Sequence, residues 1–190
     1  MKIGLMGGMF DPIHFGHLRA AENAREALGL DQVTFVPAAV PPHRAAPAAS
    51  AIDRYAMVAL ATASDPRFVP WDGEIRRDGP SYTVDTAEAL LGENPGAALT
   101  LIVGADNLGP LAQWKDTARL LSMCMVAVVG RPAVAGGAQG LDPARVVHVE
   151  GSHLPIASSA LRERVRAGRS VRYLVPDAVA DYIEKRGLYR

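Results

Sequence analysis

The chain has 190 residues, 49% of them hydrophobic, and its 20 basic and 20 acidic residues give a formal net charge of zero. That content suffices for one sizeable core and excludes a disordered chain, while neutrality argues against a nucleic-acid partner or a membrane surface and leaves small anionic ligands held by local arginines. The single cysteine, Cys124, excludes a disulfide framework and a multi-thiolate metal site. No secretory signal precedes the first apolar run, and no run approaches the roughly 18 residues of a membrane span. The expectation is a cytoplasmic, single-domain protein over 1–190, with 157–190 as a C-terminal helical portion and homo-oligomerisation left open.

Ile3 to Met6 reads as a buried strand. It is followed by Gly7-Gly8-Met9-Phe10-Asp11-Pro12-Ile13-His14-Phe15-Gly16-His17, which opens a helix near Phe15. Two adjacent glycines let a backbone approach a bulky anion, and a helix start offers free N–H groups and a positive dipole end. His14 and His17 bracket that start, and a polyphosphate would favour their charged form. A glycine pair and an Asp-Pro are by themselves ordinary turn features. Two histidines spaced by three, where an α/β fold presents its ligand crevice, make Gly7, Gly8, Met9, Phe10, His14 and His17 a candidate phosphate site.

Leu18 to Leu28 has helical spacing with Gly29 as its stop, and Val33 to Val36 is a second strand, so a parallel βαβ unit is expected. In the loop from Pro37 to Ser50, the run Pro41-Pro42-His43-Arg44 either holds His43 and Arg44 toward a phosphate or leaves them solvated. Ser50 to Asp53 is a variant capping box before a helix to about Ala63. Arg67 to Trp71 reads as a strand and Glu74 to Pro80 as a charged turn. Ser81 to Thr86 then opens a helix through Leu91, where hydroxyls and acids either cap the helix or leave N–H groups free for a carboxylate.

Leu99 to Val103 is a strand followed by Gly104-Ala105-Asp106-Asn107, whose carboxylate suits either sugar hydroxyls or a helix cap. Trp114 lies with Lys115 in a polar break between helical pieces, as a core anchor or a stacking platform. Cys124 to Val129 is a strand with its thiol in the core, and Gly130 to Pro143 is expected to be a mobile loop. Val146 to Val149 is the last strand, with His148 satisfied on a sheet face and His153 without a role. Ile156 to Arg162 enters a helix capped by Ser158 or Ser159, and Arg162 follows one turn in: a second phosphate site, or a plain N-cap with a surface arginine. Pro176 to Gly187 is an amphipathic C-terminal helix.

From the first loop to the last helix, these blocks resemble the nucleotidyltransferases related to class I aminoacyl-tRNA synthetases, and most closely the bacterial nicotinate-nucleotide adenylyltransferases. Gly-Gly-x-Phe-Asp-Pro-x-His-x-Gly-His carries the superfamily. The Ser-Tyr-Thr block and Trp114 make the chain similar to the nicotinate-nucleotide enzymes rather than to phosphopantetheine adenylyltransferases or cytidylyltransferases. The resemblance implies an α/β fold, a doubly wound parallel sheet of Rossmann-like type with a small C-terminal helical cap. It implies transfer of AMP from ATP to nicotinate mononucleotide, in NAD biosynthesis, with release of pyrophosphate. It further implies ATP phosphates on His14 and His17, with Arg162, Ser158 and Ser159 on the β and γ groups, and the adenosine side near Gly104 and Asp106. The nicotinate carboxylate would meet backbone donors of Tyr82 and Thr83, Trp114 would stack on the pyridine, and His43 and Arg44 would lie near the phosphates. Mg²⁺ would bridge phosphates, held mainly by ATP and water.

Two positions depart from the family pattern. Met9 replaces the usual Ser or Thr, and Ala157 removes a hydroxyl from the last motif. The implied chemistry asks for positioning and charge stabilisation rather than a general base, since a phosphate nucleophile is already anionic. Two other classes compete for these residues. A nicotinamide-dependent oxidoreductase or redox-sensing module is disfavoured, because no G-x-G-x-x-G follows the first strand and the second ends in Val36-Pro37 rather than an acid. A non-catalytic nucleotide-binding regulator uses the same groups and stays open from sequence, as do nicotinamide mononucleotide or phosphopantetheine as acceptor.

Overall fold

Six parallel strands form the centre of the computed structural model, which describes residues 1–41, 46–130 and 141–190. They are β1 (Lys2–Gly8), β2 (Gln32–Pro37), β3 (Phe68–Pro70), β4 (Ala98–Gly104), β5 (Cys124–Val129) and β6 (Val146–Val149), in the order β3-β2-β1-β4-β5-β6. Leu5 sits in register with Thr34 on one side and Leu101 on the other. The chain builds outward from β1 in one direction, then returns to β4 and builds in the other. The carboxyl ends of β1 and β4 therefore flank the point where the winding reverses, which is where open α/β sheets leave a crevice.

The period of two in the strands divides the apolar residues between two faces. Ile3 and Leu5, Leu99, Leu101 and Val103, and Cys124, Val126 and Val128 belong to one buried cluster. Met6, Ile102, Ala127 and Val129 belong to the other. Covering the first face are α4 (Thr83–Glu93), α5 (Ala105–Leu111) and α6 (Thr117–Met123), through residues such as Val84, Leu90, Leu108 and Leu120. The second face is covered by α1 (Phe15–Leu28) and α2 (Ala51–Thr62), and by α7 (Ser158–Arg166) and α8 (Asp177–Arg186). This is the doubly wound sheet that the motif order implies. The C-terminal helices share that second core, with Leu161, Val179 and Ile183 beside Phe10, Met57 and Val58.

Local signals explain several boundaries. Gly29 closes α1 in the left-handed conformation at φ 59°, its N–H donating to the Arg25 carbonyl. Ser50 caps α2 by accepting from the Asp53 N–H at 3.1 Å. The Asp53 carboxylate receives Ser50 Oγ at 2.6 Å, Tyr182 OH at 2.9 Å and Arg186 Nε at 3.2 Å, which fastens α8 to α2. These donors, Ser50 first, hold Asp53 below the usual carboxylate range.

Two expectations are corrected. The charged turn from Glu74 begins in a short helix, α3 (Gly73–Arg76), which buries Glu74 against Thr86 of α4. His148 is exposed rather than satisfied, because β6 is an edge strand. The segment 131–140 of the expected mobile loop lies outside the described residues.

Candidate active site

At the carboxyl end of β1 the chain passes through Gly8 and turns back over the sheet. Phe10 takes a left-handed backbone, φ 47°, and buries its ring beneath Gly8, where a Cβ would lie 3.1 Å from the ring. The same ring meets the His17 imidazole edge-on, centroids 5.1 Å apart. The Asp11-Pro12 peptide is cis. His14 occupies the N-cap of α1 in extended conformation without using its side chain as the cap. Its N–H donates instead to Nδ1 of His17 at 3.2 Å, and the two rings stack with centroids 3.7 Å apart.

That hydrogen bond sets a tautomer. Because Nδ1 of His17 accepts, the neutral ring carries its proton on Nε2, which is left as a donor. Burial lowers His14 from its usual 6.5 to about 4. Burial and then the neighbouring His14 lower His17 to about 3. Both rings are therefore neutral at physiological pH, and among the described residues Nδ1 of His14, which is buried, has no hydrogen-bond partner. Gly16 makes the arrangement possible, since a Cβ there would stand 2.9 Å from His14 Nδ1 and 3.2 Å from the Leu154 carbonyl.

The first loop is held from several sides. Ser158 Oγ donates to the Pro12 carbonyl at 2.9 Å, and Arg162 Nη1 donates to the Asp11 carbonyl at 2.8 Å. Arg162 thus stands on the same loop as the histidines. Neither serine caps α7, contrary to expectation. Ala157 takes the extended N-cap conformation, φ −118° and ψ 133°, which puts Ser158 and Ser159 inside the first turn, where the Ser158 hydroxyl turns to the loop and Ser159 is exposed. The α7 start consequently has no side-chain cap.

Gly104 ends β4 and caps α5 through its backbone, with Asp106 in the first turn. Gly104 therefore ends the strand next to β1 and Asp106 follows it in α5, at the other side of the switch point. Tyr82 is the N-cap of α4 and Thr83 its first residue, again with no side-chain cap. Ser81 accepts from the Ala39 and Val40 N–H groups at 3.0 and 3.1 Å, which ties the loop after β2 to the start of α4. Lys115 Nζ lies 4.3 Å from the Tyr82 ring centroid and 3.2 Å from Asp85. Half-buried Trp114 packs on the same apolar cluster as Tyr82. The structure thus brings the Tyr82–Thr83 and Trp114–Lys115 segments together, while His43 and Arg44 lie outside the described residues.

The sequence pattern of the cytidylyltransferase-like family matches residues 5–164. A probable nicotinate-nucleotide adenylyltransferase of Thermus thermophilus is 48% identical over 190 residues, covering 100% of both chains. One of Aeromonas salmonicida is 43% identical, covering 99% of this chain and 97% of its own. The chain belongs to the nicotinate-nucleotide adenylyltransferases of the cytidylyltransferase-like family. In fold, it is similar to the nicotinic acid mononucleotide adenylyltransferase of Plasmodium falciparum solved with NaAD, at TM-score 0.80 and 16% identity, covering 99% of this chain and 97% of that one.

Sequence reading missed the residues beneath the loop. Arg54 shares 3–4 spacing with Met57, Val58 and Ala61 on the buried face of α2, and a charge on an apolar helical stripe was the available signal. Tyr189 left no signal. Its contact with Asp11 spans 178 residues of sequence.

Proposed function

We propose that this chain transfers AMP from ATP to nicotinate mononucleotide, giving nicotinate adenine dinucleotide and pyrophosphate. The observation that carries the reading is the pair of stacked histidines at the start of α1, with Arg162 bound to the same loop, at the switch point of the sheet. One oxygen of the acceptor's 5′-phosphate attacks the α-phosphorus of ATP. A new P–O bond forms, and the bond from the α-phosphorus to the bridging oxygen breaks, with its electrons leaving on pyrophosphate. The chain's part is to position two anions and to stabilise the charge that moves to the leaving group.

In this reading the backbone of Gly7, Gly8, Met9 and Phe10, Nε2 of His17 and the imidazole of His14 receive the ATP phosphates. Arg162, Ser158 and Ser159 receive the outer phosphates, and Gly104 and Asp106 the adenosine. An anion beside the histidines favours their protonation, so the site gains positive charge as ATP arrives. At the α4 start, backbone donors of Tyr82 and Thr83 take the nicotinate carboxylate and Trp114 stacks on the pyridine. His43 and Arg44 act from the loop after β2.

The donor set offers N–H groups, imidazoles and guanidinium to phosphate. Among the described residues no group of three or more His, Cys, Asp or Glu side chains could hold a metal. This donor chemistry fits a Mg²⁺ that would be carried by phosphate oxygens and water and would neutralise charge on the triphosphate. No helix among the described residues is long and apolar enough to cross a membrane. The reading places the reaction in the cytoplasm.

The test is pyrophosphate release from ATP and Mg²⁺ with nicotinate mononucleotide, nicotinamide mononucleotide and phosphopantetheine offered separately. Preference for nicotinate mononucleotide is the expected result. Turnover only with another acceptor overturns the acceptor site, and no turnover overturns the enzyme reading.

A further inference from the structure

Arg54 is wholly buried, 0% exposed, in the first turn of α2. Among the described residues no carboxylate forms an ion pair with it. Its guanidinium is spent on backbone: Nη1 donates to the Met9 carbonyl at 2.8 Å, Nη2 to Ala38 at 2.6 Å and Nε to Ala49 at 3.3 Å. Met9 belongs to the loop after β1, and Ala38 and Ala49 belong to the two ends of the loop after β2. One planar fork therefore joins the loop proposed to receive the ATP phosphates to the loop that Ser81 ties, through the Ala39 and Val40 N–H groups, to the proposed acceptor site at the start of α4.

Asp11 completes the joint from the other side. Its carboxylate accepts from the Ala48 and Ala49 N–H groups at 2.7 and 3.1 Å and from the Tyr189 hydroxyl at 2.7 Å. Asp11 and Arg54 thus grip Ala49 by its N–H and its carbonyl respectively. The penultimate residue of the chain supports the carboxylate. Burying a guanidinium outside an ion pair is expensive, and an apolar side chain of similar volume would cost the core less. What an apolar side chain could not do is hold three carbonyls from two loops at fixed separation.

We propose that Arg54 is a positioning residue for adenylyl transfer, setting the loop after β1 against the loop after β2, with Asp11 and Tyr189 completing the joint. Each substrate keeps its own donors when the joint is loosened, so binding persists while alignment of the acceptor phosphate with the α-phosphorus is lost. Such a role appears in kcat, because in-line attack depends on relative placement and a displacement near 1 Å costs about 10²-fold. A purely structural role lowers the melting temperature and leaves the kinetics of the folded enzyme alone.

The inference rests on the proposed function, and the experiment separates the two. Initial rates of pyrophosphate release are measured with ATP and nicotinate mononucleotide each varied, for wild type, Arg54→Lys, Arg54→Gln and Tyr189→Phe, with thermal melts alongside. Lysine keeps the charge but cannot span three carbonyls. The expected result is a kcat lowered by about 10- to 100-fold in the Arg54 variants, with both KM values close to wild type. Tyr189→Phe, which removes a single oxygen, shows the same pattern more weakly. Folded Arg54 variants with wild-type kcat overturn the proposal. If neither Arg54 variant folds, Tyr189→Phe decides it, an unchanged kcat being the refuting result. A wild type with no turnover refutes the functional reading, and the positioning role for that reaction falls with it.

Discussion

Replacing Gly16 by alanine separates stability from activity at this site. The added Cβ would stand 2.9 Å from His14 Nδ1, 3.0 Å from Cε1 and 3.2 Å from the Leu154 carbonyl. The backbone oxygen cannot yield easily, so the His14 ring must move by roughly half an ångström, against its stack with His17 at 3.7 Å. Two energetic effects oppose each other. Alanine gains up to about 1 kcal/mol over glycine in a helix, while overpacking costs about 1–3 kcal/mol, so the net loss of stability is about 0–3 kcal/mol. Activity has no such compensation. If about 1 Å of misplacement costs about 10²-fold, half of that costs roughly tenfold in kcat. Urea unfolding and pyrophosphate-release kinetics on the same preparation measure both quantities. A Gly16→Ala enzyme with wild-type kcat refutes the argument that the close approach of Gly16 fixes His14.

The other expected outcomes are more direct. His17→Ala lowers turnover by orders of magnitude with the far-ultraviolet circular dichroism unchanged, and unchanged turnover removes His17 from the machinery. His14 and His17 are depressed to about 4 and about 3 in the folded state, so between those values and about 6.5 the unfolded chain binds more protons. Their contribution to stability is therefore complete above about pH 6.5 and is lost as pH falls below it, with a slope of up to about 1.4 kcal/mol per pH unit for each histidine. Urea midpoints between neutral pH and about pH 4 check this, and a flat profile contradicts it. Thr86→Val removes the hydroxyl that donates to Glu74 Oε1 at 2.5 Å, and among the described residues Oε2 already lacks a partner. The expected cost is about 1–3 kcal/mol in urea unfolding, recovered by Thr86→Ser.

Much of the fold was legible because its signals are local. Cys124 to Val129 is a strand at the limits that its apolar run suggests, and α1 ends at Gly29 because a left-handed cap is a property of one residue. Phe15 as the first residue of α1 followed from the motif. The cap of α7 is not legible in its serines because capping depends on which residue takes the extended conformation, and that is set by how the helix docks on the first loop. Four-residue α3 escaped notice because its charged sequence has no periodicity to read.

The sequence by itself determined the parallel α/β class, the order of its elements, the glycine and histidine motif after the first strand and, through its relatives, the family. Those features rest on residue spacing, and spacing is visible in one dimension. Only the tertiary structure decided how the motif is held: the tautomer of His17, the orphaned nitrogen of His14, Arg54 under two loops and Tyr189 on Asp11. Each depends on groups that are distant in sequence or on burial that shifts a proton equilibrium. Neither quantity exists until the chain has closed around its core.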